Sequence, residues 1–109
     1  MTLEEFGQLI LSADPEATRY EGNRKGNYTV WREYGTRPLG ADNRHGESIY
    51  RVQVDRFTKI EDDPIAAAIT TALNGGEEED HQDAVAYQYL VDYEVETGYI
   101  HHIWDCEMI

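Results

Sequence analysis

Apolar residues recur at helical spacing near the start of the chain and again in its middle. The first set occupies one helical face and consists of Leu3, Phe6, Ile10 and Ala13. Thr2 precedes this set, with Glu5 three residues after it, which is the pattern of a capping box. The spacing therefore predicts a helix over 2–13. It ends at Asp14-Pro15, because a residue that precedes proline disfavours helical backbone.

A second helix is predicted over 64–73. Asp62-Asp63-Pro64 supplies an acidic cap and then a proline in the first turn, where a missing N–H is tolerated. Its apolar stripe consists of Ile65, Ala68, Ile69, Ala72 and Leu73. Asn74-Gly75-Gly76 then ends the helix, because glycine readily adopts the left-handed backbone of a helix end.

Alternation of apolar and polar residues predicts strands elsewhere. The strands are expected over 28–34, 48–59, 84–96 and 99–109, with a short additional one at 18–21. In the strand over 48–59, the side chains expected to face the core are Tyr50, Val52 and Val54. The side chains expected to face outward are Arg51, Gln53 and Asp55.

These elements predict a single α+β domain over residues 1–109, in the order α-β-β-α-β-β. We expect a mostly antiparallel sheet of four to five strands with the two helices packed on one side. The segment 35–47 holds three glycines and a proline without periodicity, so it is predicted to be an exposed loop.

Charge is distributed unevenly along the chain, whose formal net charge is −13. All nine Lys and Arg residues lie between Arg19 and Lys59, whereas residues 77–109 hold ten acids and neither Lys nor Arg. This balance excludes broad binding to the phosphate backbone of nucleic acids, which needs a basic surface. Two explanations stay open: opposite charges meet across neighbouring strands, or the basic side of one copy docks on the acidic side of the next.

If the basic side of one copy docks on the acidic side of the next, the docking hypothesis, two sets of contact residues are expected. Its basic side consists of Arg37, Arg44, Arg51 and Arg56. Its acidic side consists of Glu77, Glu78, Glu79 and Asp80. As a cation site, this acidic run lacks the spaced oxygen ligands of a calcium loop, so it is expected to be a solvated surface.

No motif for catalysis is present: the chain lacks a nucleophile elbow, a P-loop, a dinucleotide fingerprint and zinc-finger spacing. His101 and His102 are adjacent in a strand and point to opposite faces. His102 shares a face with Cys106, but strand rise separates the two by about 13 Å, and a lone cysteine favours the core. We therefore expect no enzyme activity, no cofactor and no metal.

Three tyrosines form a row in the strand over 84–96, namely Tyr87, Tyr89 and Tyr93. Such a row can stack on single-stranded nucleic acid, but the surrounding acids disfavour that use. We expect it to pack under a helix or at a contact between subunits. A membrane partner is not expected either, since no stretch approaches the roughly 20 apolar residues of a span and the N-terminus lacks a basic signal region.

Three segments together carry a resemblance to a known family. They read YTVWREYGTRP, IYRVQVDRFTKIEDDPIAAAITTAL and VAYQYLVDYEVETGYIHHIWDCEMI. The last contains a D-Y-E-x-x-T-G corner followed by Tyr or His and apolar alternation, at Asp92, Tyr93, Glu94, Thr97, Gly98, Tyr99 and His101 or His102. In these features the chain is similar to the tail terminator, or tail-to-head joining, proteins of long-tailed bacteriophages and prophages.

The resemblance implies a structural virion subunit made in the bacterial host cytoplasm and placed at the junction of tail and head. Family members form a hexameric ring on the tail tube, stop its polymerisation and present the joint to the head. The implied partners are further copies of the chain, the major tail tube protein and the head completion or connector protein, with DNA only as passing cargo. Exposed edge strands suit pairing with a neighbouring copy.

Two other functions stay open at this point. One is a neighbouring head–tail connector or minor capsid protein. The other is a small acidic protein that mimics nucleic acid and binds a host protein, which the net charge of −13 favours.

Overall fold

The computed structural model describes residues 1–22, 25–38, 48–76 and 85–108. Its elements are α1 (Leu3–Ala13), β1 (Thr18–Arg19), β2 (Tyr28–Pro38), β3 (Ser48–Thr58), α2 (Pro64–Leu73), β4 (Ala86–Glu94) and β5 (Tyr99–Met108). The five strands form one sheet in the order β1-β2-β3-β5-β4. This confirms the α+β class and the two helices. The sheet is mixed, because β1 pairs with β2 in parallel while the other pairs are antiparallel.

Both predicted helix starts are confirmed by their capping bonds. The backbone N–H of Glu5 donates to Thr2 Oγ1 over 3.0 Å, and the backbone N–H of Thr2 donates to Glu5 Oε1 over 2.9 Å. At the start of α2, the backbone N–H of Ile65 donates to Asp63 Oδ1 over 3.1 Å. Each bond satisfies an amide that the helix itself leaves without an acceptor.

The core lies between the two helices and one side of the sheet. The ring of Phe6 on α1 meets the indole of Trp31 on β2 edge-on, with 5.2 Å between centroids. The indole N–H of Trp104 on β5 donates to Thr70 Oγ1 of α2 over 3.1 Å. The largest fully buried apolar side chains are Trp104, Phe6, Ile10, Ile69, Leu73, Val52, Val54 and Cys106. Each large one contributes about 1.5–3 kcal/mol of apolar burial.

β2 is longer than predicted, because it continues through the beginning of the expected loop to Pro38. Its pairing with β3 shifts between Glu33 and Gly35, which marks a β-bulge at Tyr34. The bulge takes up one residue and so breaks the alternation by which the sequence pattern identifies a strand. The remaining residues of the expected loop, 39–47, lie outside the described part of the chain.

The predicted facing of β3 is correct in part. Val52 and Val54 are fully buried, but Tyr50 on the same side is exposed. Asp55 was expected to face outward into solvent, yet it is buried on the side of the sheet away from the helices. Asp55 is buried because neighbouring polar side chains shield it from solvent: Gln53 and His101 both form hydrogen bonds with its carboxylate.

Arg56 lies in the interior rather than at the surface, where the docking hypothesis placed it. Its side chain is 7% exposed. Its Nε donates to Asp63 Oδ2 over 2.8 Å, and its Nη1 lies 3.6 Å from Asp14 Oδ2. Since Asp14 ends α1 and Asp63 begins α2, one guanidinium ties both helices to β3. A side chain enclosed in this way has no surface to offer a second copy, so we remove it from the contact residues.

We predict that Arg56→Ala lowers the free energy of unfolding by about 3–5 kcal/mol, because it leaves the buried carboxylates of Asp14 and Asp63 without their cationic partner. Arg37→Ala is the matched control: it also removes a paired arginine, but from an exposed pair that solvent screens, and should change stability much less. Denaturant unfolding of both variants measures the difference. Equal losses in the two variants would contradict the assigned role of Arg56.

We further predict that Asp63 makes stability depend on pH below its ordinary pKa of 3.8. Burial raises the pKa of Asp63, but the hydrogen bonds from Arg56 and from the backbone N–H of Ile65 outweigh burial and hold the pKa below that value. The unfolded chain therefore takes up the proton first, and the contribution of Asp63 is lost as pH falls through the folded-state pKa. The difference in unfolding free energy between the native chain and Asp63→Asn should shrink in that range. A difference that stays constant down to about pH 2 would exclude this linkage.

Candidate functional site

The other predicted contact residues that the structure describes, Arg37 and Arg51, lie on the side of the sheet away from the helices. Arg37 forms a bidentate pair with Glu107 of β5, over 3.0 and 2.9 Å. Arg51 Nη2 lies 3.8 Å from Asp105 Oδ2, also on β5. The hydrogen bond from Arg37 holds the pKa of Glu107 below its ordinary value. Opposite charges of the neighbouring strands β3 and β5 therefore do meet within the molecule, as the first explanation of the charge pattern expected, and Arg37 reaches across β3 to β5.

The remaining contact residues of the hypothesis lie outside the described residues. They are Arg44, Glu77, Glu78, Glu79 and Asp80.

Charge follows the order of strands across the sheet. The three strands at one end, β1 to β3, carry five arginines against two acids, Glu33 and Asp55. The two strands at the other end, β5 and β4, carry four acids and neither Lys nor Arg. The pairs of Arg37 and Arg51 lie where these halves meet, so the difference in sign persists toward the two outer edges.

β4 forms an outer edge that the helices leave uncovered. The described helices pack over β2, β3 and β5, and in β4 only Tyr87 is half-buried against the core. The exposed fractions of Tyr89, Leu90, Val91 and Tyr93 lie between 45% and 60%. Three of these side chains face the helix side and form the outer row: Tyr89, Val91 and Tyr93. The expectation that the tyrosine row packs under a helix is therefore wrong for Tyr89 and Tyr93, because α2 lies over Trp104 of β5 instead.

A hollow of about 410 Å³ separates α2 from the start of the outer row. Its lining includes Asp62, Ala67, Thr70, Tyr89 and His102. The phenol oxygen of Tyr89 lies 2.6 Å from His102 Nδ1, and the two rings stack at 5.9 Å. Burial lowers the pKa of His102 and raises that of Tyr89, which favours the neutral form of both groups in this hydrogen bond.

A second histidine cluster lies on the opposite side of the sheet, which confirms that His101 and His102 point to opposite faces. His101 Nε2 lies 2.7 Å from Asp55 Oδ1, and its Nδ1 lies 3.6 Å from Glu94 Oε2. The ring of Phe57 stacks on the imidazole at 4.0 Å. The sequence analysis missed this cluster. Its members come from three strands, and only the register that pairs Phe57 with His101 brings them together.

The chemistry available to these clusters is limited. His101 contacts carboxylates and His102 contacts a phenol, so among the described residues neither histidine bonds to a serine or cysteine nucleophile. Cys106 is buried, and its thiol donates to the carbonyl oxygen of Trp104 over 3.6 Å. Across the ranges that the structure describes, no three His, Cys, Asp or Glu side chains are placed to hold a metal ion. Neither α1 nor α2, the helices of those ranges, has the length and apolar character needed to cross a membrane.

Comparison with known proteins identifies no family. No protein-family model matches the sequence, and no curated protein matches it. The likeness to tail terminators therefore stays an interpretation of the residue pattern.

We predict that Cys106 does not react with an aromatic disulfide reagent in the folded protein. Burial, and to a lesser extent the charge of Asp105, raise the pKa of the thiol to about 12, so the reactive thiolate is almost absent near neutral pH. One thiol per chain should become reactive after unfolding in guanidinium, as followed by absorbance. Rapid modification of the folded protein would show that the thiol is accessible.

Proposed function

We propose that this chain is a tail terminator subunit: a structural virion protein that caps the tail tube of a long-tailed phage or prophage as a ring and forms the joint to the head. The observation that supports it best is the asymmetry of the sheet. The half formed by β1 to β3 carries the arginines of the sheet, whereas β5 and β4 carry Asp and Glu without Lys or Arg. The outer strand of the acidic half, β4, also exposes apolar side chains.

The two edges of the sheet differ in charge, so they suit a head-to-tail contact. A contact between two different surfaces repeats from copy to copy and closes into a ring when the rotation between copies allows it. A contact between identical surfaces would instead bring acidic edges together. This asymmetry favours ring formation over a two-fold dimer.

The basic side of the contact differs from the one the sequence analysis named. Arg56 is enclosed, and Arg37 and Arg51 are paired with β5 of the same chain. Toward the β1–β2 edge, Arg19 pairs with Glu33, and Arg32 is exposed with its guanidinium 5.8 Å from the Tyr34 ring. On the acidic side, Asp92 and Glu96 are exposed. Arg32 and Asp92 thus lie on the strands at opposite ends of the sheet, and both point to the side away from the helices.

We predict that the purified protein caps tail tubes assembled from the major tail protein of the same phage or prophage. Electron microscopy should show added density at one tube end, and tube growth should stop. The double variant Asp92→Arg with Glu96→Arg should lower capping by about tenfold or more, because it places like charges at the contact. The control is the double variant Glu16→Arg with Glu61→Arg, which changes net charge equally at exposed positions outside the helices and strands and should cap normally.

Each alternative function has its own outcome in this experiment. A protein that leaves tubes uncapped but competes with DNA for a host protein is a nucleic acid mimic. A protein that binds the head vertex and ignores the tube is a connector. Either result would overturn the proposal.

A further inference from the structure

We infer that the ring contact is made by strand pairing: β4 of one copy adds antiparallel to the free edge of β2, residues 32–38, in the next copy. The sheet then continues from subunit to subunit with the helices on the same side. This inference rests on the proposed function, since it names the contact through which that ring closes.

β4 is an edge strand without the usual protection. It pairs with β5 over its whole length, from Ala86 to Glu94, with no shift of register. Edge strands that stay unpaired are commonly guarded by lysine, proline, a bulge or a covering element. β4 contains neither Lys nor Pro, and no described element lies along its outer edge. Its outward amide and carbonyl groups are therefore available to another strand, except the N–H of Tyr93, which donates to Asp92 Oδ1 over 2.9 Å.

The opposite edge of the sheet is open over part of its length. β1 pairs only with Val30 and Trp31 of β2, so no described strand lies beside residues 32–38. The bulge at Tyr34 and Pro38 bound the regular part of this edge, which is 35–37. β2, β3, β5 and β4 alternate in direction, because each neighbouring pair is antiparallel. β4 and β2 therefore run in opposite directions. A copy placed beside the first in the same orientation presents β2 antiparallel to β4, which is the more stable pairing.

Charge selects this partner over a second β4. The acids Asp92 and Glu94 belong to β4, whereas the exposed Arg32 belongs to the open part of β2, where Arg37 is already paired with Glu107 of its own chain. Pairing β4 with β2 brings opposite signs onto adjacent strands. Pairing two β4 strands would place four carboxylates on two adjacent strands with neither Lys nor Arg to balance them.

The same placement covers the outer row of Tyr89, Val91 and Tyr93. In each copy α1 lies over β2, through the contact of Phe6 with Trp31. When the sheet continues, α1 of the next copy comes beside the outer row, on the flank that α2 leaves open. Leu11 of α1 is exposed in the single chain and is available for this packing. One arrangement thus accounts for both the open strand edge and the exposed apolar row.

Disulfide trapping tests the identity of the paired strands. Val91→Cys and Thr36→Cys, both on exposed positions of the helix side, are purified with different tags, mixed and oxidised. We expect the yield of mixed disulfide-linked dimers to be well above the yield that either variant gives alone. Tyr93→Cys provides a second position on β4 for a pairing register that differs by two residues. The native chain, whose Cys106 is buried, gives the background yield of disulfide-linked dimers. Equal trapping of Val91→Cys with itself, or yields no higher than those of an Ile60→Cys control, would overturn the inference.

A matched pair of lysine variants tests the role of the edge in assembly. Val91→Lys adds a charge to β4, while Ile60→Lys adds the same charge at a similarly exposed position outside both strands, 53% against 48% exposed. Val91→Lys should lower tube capping by about tenfold or more, because an edge lysine blocks strand addition. Ile60→Lys should leave capping within about twofold of the native chain. Equal thermal unfolding of the two variants shows that both fold.

Failure of the edge contact and failure of the proposed function give different results. If Val91→Lys caps tubes normally and no mixed disulfide forms, the strand pairing is wrong while the terminator function stands. If mixed disulfides form but the native protein never caps tubes, the strand pairing stands and the terminator function is wrong.

Discussion

The buried guanidinium of Arg56 is the interaction on which the arrangement of this fold depends. It lies between the carboxylates that end α1 and begin α2, Asp14 and Asp63, and so holds both helices at one end of β3. An ion pair removed from water needs nearly complete compensation, and here two carboxylates and the hydroxyl of Thr29 surround one guanidinium. The helices consequently have little freedom to shift sideways across the sheet, toward or away from β4.

The position of the helices decides which part of the sheet is left open. α1 covers Trp31 and α2 covers Trp104, so the helix layer spans the centre of the sheet and stops before β4. The apolar alternation of β4 resembles that of a core strand, yet Tyr89, Val91 and Tyr93 meet solvent because the helix layer ends before them. The open edge is thus a consequence of where the helices are anchored, and not of a polar sequence in β4.

Much of the fold could be predicted, because its signals are local. The caps at Thr2 and Asp63 and the alternation within each strand depend on residues only a few positions apart. The errors arise where distant residues decide the outcome. Arg56 is enclosed because Asp14, far away in sequence, is brought to it by the packing of α1. The tyrosine row is exposed because of helix placement, and the histidine cluster around Asp55 depends on strand register, neither of which periodicity reveals.

The uneven charge of the sequence has two different consequences in three dimensions. Where the basic and acidic halves meet, between β3 and β5, Arg51 faces Asp105, and Arg37 reaches Glu107, so these charges stabilise the sheet itself. Toward the outer edges Arg19 pairs with Glu33, whereas Arg32 of β2 and Asp92 of β4 have no ion-pair partner among the described residues. In the proposed strand pairing, a second copy brings Arg32 and Asp92, which the single chain leaves without partners of opposite sign, onto adjacent strands. Because these two residues lie on the strands at opposite ends of the sheet, the charge pattern supports the proposal that copies meet edge to edge.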